Sequence, residues 1–153
     1  MKDDAPNTEE SFHLEDFMPY RLAVLAKAVS TAFAKTYAER FGITIPQWRV
    51  MSAIGRVPNC SASSIVEHTA LDKVQVSRAV SGLIDLGHVE RRADENDRRN
   101  SVLNFTKQGL DIYEQIVPAG RAFEERLMSV MNSQDINDLN RLIDKLMSQA
   151  KEL

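Results

Sequence analysis

Lys73, Gln75, Ser77 and Arg78 lie within six consecutive residues and set an ammonium, an amide, a hydroxyl and a guanidinium fork side by side. An ammonium can meet a phosphate, an amide matches the edge of adenine, and a guanidinium fork matches that of guanine. These four side chains are candidate readers of a nucleic-acid duplex. A second cluster, Asp97, Arg98 and Arg99, lies in the polar run DENDRRN. Its arginines could reach phosphates or a narrow, electronegative minor groove. Asp97 can accept an arginine's hydrogen bonds and fix the direction of the fork, which makes it a supporting residue.

Such side chains need a rigid platform. Leu71 and Asp72 open a helix that turns Val76, Ala79, Val80 and Leu83 inward and ends at Gly87. Ahead of it, Ser61 caps a short helix through Ile65 and Val66. An earlier helix starts at Thr44, Ile45 and Pro46, buries Trp48, Met51, Ala53 and Ile54, and stops at Pro58 and Asn59. After Gly87 the period changes: HVERRAD is extended, DENDRRN is turn-like, and SVLNF alternates as a returning strand. Of the adjacent Arg91 and Arg92, one should face inward or sideways. A short helix, a turn, a second helix and a charged hairpin make up a winged helix-turn-helix, whose second helix enters the major groove.

The flanks are helical. Residues 1–11 are polar and lack an apolar period, which predicts a loose arm. Leu14, Met18, Leu22, Leu25, Val29, Phe33 and Tyr37 recur at helical spacing, predicting one long first helix that ends near Gly42. About seven turns exceed what a small core needs, so the surplus apolar face implies a partner. Thr106 caps a fifth helix carrying Leu110, Ile112, Tyr113, Ile116 and Val117, which Pro118 should kink or interrupt. Ser133 opens a last helix with Ile136, Leu139, Ile143, Leu146, Met147 and Ala150 on one stripe. The expected fold is mainly α with a small β-hairpin wing, in one domain over 1–153. Residues 44–106 form the winged helix-turn-helix DNA-binding region, and 14–42 with 107–153 form the helical dimerisation region.

Composition narrows the alternatives. A chain of 153 residues with 43% hydrophobic content can build one core. Its formal charge of -3 leaves nucleic acid open, because binding needs only a local positive surface. With no long apolar run and an acidic start, a soluble cytoplasmic protein without membrane contact is expected. Cys60 is the single cysteine, and His13, His68 and His88 lack ligand spacing, so neither a metal nor a cofactor is expected. No Gly-rich phosphate loop, His-Glu metal helix or nucleophile elbow occurs, which argues against an enzyme.

The stretch LIDLGHVERRADENDRRNSVLNFTKQG, with Asp-x-Arg at Asp97 and Arg99 and Thr-x-x-Gly at its end, resembles the MarR (multiple antibiotic resistance regulator) family. The segment GITIPQWRVMSAI resembles the same family's second helix, and the resemblance runs from Leu14 onward. It implies a homodimeric, sequence-specific regulator that binds an inverted-repeat operator in double-stranded DNA, acting as a ligand-responsive repressor. By the same resemblance Arg99 enters the minor groove, the position of Arg98 varies, and the first and last two helices form an intertwined dimer interface. A pocket between the first, second and fifth helices would take a small aromatic or phenolic ligand, with His13, Arg21 and Trp48 nearby. Arg21 could pair with a ligand carboxylate. Peroxide-sensing members carry a cysteine near the start of the first helix; here Cys60 lies just before the third. Two other readings stay open: a winged-helix protein-interaction module, and a redox-responsive regulator using Cys60.

Overall fold

The computed structural model describes residues 12–97 and 99–153; Arg98 and the polar arm at 1–11 lie outside the described residues. The first apolar stripe does not form one unbroken helix. A 3-10 turn at Leu14–Asp16 precedes α1 (Met18–Ala34), and a short α2 (Ala38–Phe41) follows. Pro19 sits in the first turn of α1, where its missing N–H costs nothing. At the other end, Thr36 and Tyr37 donate to the carbonyls of Phe33 and Ala34 in three-residue steps, and the Thr36 hydroxyl also takes the Phe33 carbonyl. That tightening turns Tyr37 into the core, where it is fully buried. A continuous helical period is blind to such a break, because the apolar spacing is the same on both sides of it. Gly42 then ends α2 in the left-handed conformation at φ 67°.

The central helices start on side-chain caps. Thr44 and Gln47 form a reciprocal capping box on α3 (Ile45–Arg56), and Ser61 caps α4 (Ala62–His68). Asp72 and Gln75 form a second box on α5 (Lys73–Asp85). Val50, Met51 and Ile54 of α3, Ile65 of α4, and Val76, Ala79, Val80 and Leu83 of α5 share one core with Ile43 and Leu71. Gly82 leaves room for the Gln47 side chain between α3 and α5: a Cβ there would stand 2.5 Å from Gln47 Nε2.

The hairpin pairs β1 (Val89–Ala93) antiparallel with β2 (Ser101–Phe105), Val89 facing Phe105 and Ala93 facing Ser101. It is rooted by the loop before α4, where the Leu103 N–H donates to the Cys60 carbonyl at 2.9 Å. Asn59, at φ 57°, exchanges hydrogen bonds with Asn104. Both Arg91 and Arg92 are exposed, contrary to the alternation expected of a half-buried strand. Within β1 only Val89 is buried and the strand is exposed from Arg91 onward, while the facing Val102 and Leu103 of β2 are buried.

Two C-terminal helices complete the chain, α6 (Lys107–Met128) and α7 (Ser133–Ala150). Pro118 does not interrupt α6. Pro118 and Glu114, whose carbonyl it leaves without a helical donor, are both exposed, so water can satisfy the freed group. The join between wing and α6 explains the Thr-x-x-Gly motif. The Thr106 hydroxyl donates to the Gly87 carbonyl at 2.6 Å and accepts the Gly109 N–H at 3.0 Å. Gly109 packs on the His88 backbone so closely that a Cβ would lie 2.6 Å from its carbonyl carbon. No described helix is long and apolar enough to cross a membrane.

Candidate nucleic-acid interface

The helix α5 is held from behind and open in front. Its buried residues are Val76, Ala79, Val80 and Leu83, whereas Lys73, Gln75, Ser77 and Arg78 are all exposed. Helical geometry divides the exposed set into two faces. Lys73 and Ser77, four residues apart, line a groove of about 310 Å³ against Ala62, Ser63 and Val66 of α4 and Arg91 of β1. Gln75 and Arg78, three apart, share the other face, beside Val74 at 58% exposed. Sequence periodicity did not single out Val74 or Ser63. The available signal was Val74 itself, an apolar residue out of phase with the buried stripe.

Gln75 has a structural duty as well. Its Oε1 accepts the Asp72 N–H at 3.0 Å, while Asp72 Oδ1 accepts the Gln75 N–H at 2.8 Å. The amide nitrogen carries none of that bonding, so Gln75 can offer donors outward without leaving the cap. Bidentate pairing with adenine would require its oxygen to serve two donors or to release one.

The wing tip is organised by Asp97. Its Oδ1 accepts the Arg99 N–H at 3.1 Å, its Oδ2 accepts Asn100 Nδ2 at 3.2 Å, and its carbonyl accepts the Asn100 N–H at 2.9 Å. The Arg99 guanidinium lies 3.9 Å from the same carboxylate and remains 95% exposed. A long cation is thus anchored at its base and free at its end. On the strand, Arg92 pairs with Glu90, and Arg91 donates to Ser101 Oγ at 3.3 Å.

The three ligand-pocket candidates do not meet within one chain. Trp48 is half-buried in an aromatic cluster, with ring centroids 5.8 Å from Phe33, 5.7 Å from Tyr37 and 5.9 Å from Tyr113. Arg21 is exposed on α1, twelve residues before Phe33, or about 18 Å along the axis at 1.5 Å per residue. His13 is exposed before α1. Cys60 is buried, and burial raises its pKa, which keeps it a thiol. Arg56 and His68 line the same small cavity as Cys60, a proximity that the sequence spacing concealed.

Comparison with known proteins places this architecture. The model of the MarR family matches residues 41–100, from the end of α2 through α5 to the wing tip. The HTH-type transcriptional regulator BilQ of Clostridium symbiosum is 26% identical over 116 residues, covering 76% of this chain and 81% of BilQ. A MarR/EmrR family transcriptional regulator from Acinetobacter sp. ADP1 superposes with a TM-score of 0.84 at 24% identity, over 93% of this chain and all of that one. A mutant MarR from E. coli complexed with operator DNA superposes at 0.76 with 22% identity, over 89% and 99% of the two chains. The mostly helical fold with its two-stranded hairpin is that of these structures, and from the end of α2 to the wing tip the chain is similar to the MarR family.

Proposed function

We propose that the chain acts as a homodimeric, ligand-responsive repressor that reads an inverted repeat through α5 and the wing. One observation carries the reading: α5 buries four apolar residues and exposes Lys73, Gln75, Ser77 and Arg78, while Arg99 stands free on the adjoining wing. In the assigned roles Lys73 meets phosphate, Arg78 reads guanine and Gln75 reads adenine. Ser77 donates to either, and Val74 meets a thymine methyl. Arg99 enters the minor groove, Arg98 supplements it at phosphates, and Asp97 sets the wing turn.

The dimer is supported by apolar surface with nothing beneath it. Neither α1 nor α7 has a buried residue, yet Met18, Leu22 and Leu25 of α1 and Leu142, Ile143, Leu146 and Met147 of α7 are each at least 44% exposed. A second copy packing there would form the dimerisation region from residues 14–42 and 107–153. The two recognition helices would then stand about 34 Å apart on successive turns of DNA. Ligand response draws on two structural relatives: BpsR of Bordetella bronchiseptica, whose regulation of DNA binding by 6-hydroxynicotinic acid is described, and PcaV of Streptomyces coelicolor, solved with its natural ligand. Since His13 and Arg21 lie far from Trp48 along one chain, a pocket using all three draws its ends from two protomers. A cytoplasmic location fits this role.

The experiment is a salt titration of binding to the DNA upstream of the protein's own gene against a scrambled duplex. Tight, dimer-dependent preference for the upstream DNA is expected, and Arg99→Ala should lower the salt slope by about one unit if Arg99 meets a phosphate. Gln75→Glu keeps the capping box but removes the amide donors, so it should cost about 1 to 3 kcal/mol at one base position with little loss of stability. Equal, weak binding to both duplexes would instead favour a protein-interaction module. The redox reading through Cys60 has less support, because the thiol is buried with its pKa raised.

A further inference from the structure

The helix α4 separates two clefts. Ala62, Ser63 and Val66 face the groove beside α5. On the opposite side, His68 and the turn residues Thr69 and Ala70 close a second cleft of about 330 Å³ against Arg49, Ser52, Ala53 and Arg56 of α3. Three nitrogen-bearing side chains, Arg49, Arg56 and His68, line this second cleft, and no acidic residue does. Among the described residues neither arginine has a carboxylate partner within ion-pair distance. Arg49 is steadied by a 3.4 Å bond from Nη2 to Ser30 Oγ on α1, leaving its other donors free. The ring of His68 is fixed by Nδ1, 2.7 Å from the Ser64 carbonyl; a carbonyl only accepts, so Nδ1 holds the proton and Nε2 is the remaining nitrogen.

Arg49 and Arg56 are seven residues apart on one face of α3, or about 10.5 Å along its axis. Their flexible arms can therefore grip two anionic groups separated by a short spacer, with the small side chains of Ser52, Ala53 and Ala70 leaving room between. We infer that this cleft is a binding site for a small organic dianion of the dicarboxylate class. Arg49 and Arg56 take one carboxylate each, and Thr69 and His68 border the spacer. The site is separate from the pocket region around Trp48 and from the DNA-facing side of α5. It also abuts the turn leading into the Asp72 cap, so an occupant would link α3 to the start of the recognition helix.

Glutarate serves as the probe, with butyrate and sodium chloride at matched ionic strength as controls, and thermal melting and calorimetry of the full chain as readouts. The proposal expects saturable binding of glutarate, at least tenfold weaker binding of butyrate, and a loss of tenfold or more in glutarate affinity for both Arg56→Gln and Arg49→Gln. Arg121→Gln, exposed on α6 and outside the cleft, should leave glutarate binding unchanged. Shifts equal to those of butyrate or salt, absence of saturable binding, or wild-type affinity in Arg56→Gln would each overturn it. None of these readouts uses DNA, so the site can fail while the operator reading stands, and the reverse.

Discussion

The winged helix and the flanking helices contrast sharply in how they use their apolar residues. In the segment from Ile43 to Leu103, Val50, Met51, Ile65, Val76, Val80, Leu83 and Val89 are all nearly inaccessible, and the helices begin on side-chain caps. In α1 and α7, by contrast, equally apolar stripes contain no fully buried residue. Periodicity is as clear in the second case as in the first. What differs is whether the chain itself supplies the other half of the contact: the first region closes its own core, and the second leaves its apolar stripe open.

The comparison can be tested from its strongest consequence down. Leu83→Ala removes a side chain with no accessible surface and should cost about 2 to 5 kcal/mol, read as a lower urea midpoint. A smaller loss would mean that the winged helix is looser than its packing. Leu142→Asp combined with Leu146→Asp places two charges on the open face of α7. The double variant should become monomeric in sedimentation and lose the protein-concentration dependence of its Tm. If it stays dimeric, the unpartnered face is elsewhere.

Smaller effects probe the joints. Asp72→Ala removes the carboxylate that accepts the Gln75 N–H and should cost about 1 kcal/mol, with operator affinity falling as the first turn of α5 frays. A pH effect follows from His88, which is buried at the junction of α5, wing and α6 with Nδ1 lacking a partner among the described residues. Burial lowers its pKa below the ordinary 6.5. Above 6.5 both folded and unfolded forms are neutral there and nothing is lost. As pH falls from 6.5 toward the lower folded value, the unfolded chain takes up a proton that the folded chain refuses, so stability declines. The urea midpoint should therefore drop between pH 7.5 and 5.5, and His88→Leu should flatten that drop. An unchanged slope in the variant would remove His88 as its source.

Much of this protein is written in local sequence. Caps at Thr44, Ser61, Asp72 and Thr106, glycines at Gly42 and Gly87, and the change of period after Gly87 set the order of helices and hairpin, because each acts within a few residues of where it stands. The outward residues of α5 follow from the inward ones, since a helix with one buried stripe has only the rest to present. The turn at Thr36 escaped that logic because it serves the burial of Tyr37, a contact made in three dimensions. The exposure of both Arg91 and Arg92 depended on how far the core extends beneath β1, which spacing along a strand does not encode. Tertiary packing alone decided that Gly109 must be bare against the His88 backbone and that Arg49 and Arg56 share one cleft with His68. Those are encounters between distant segments, and a pattern with a period of a few residues carries no information about which segments meet.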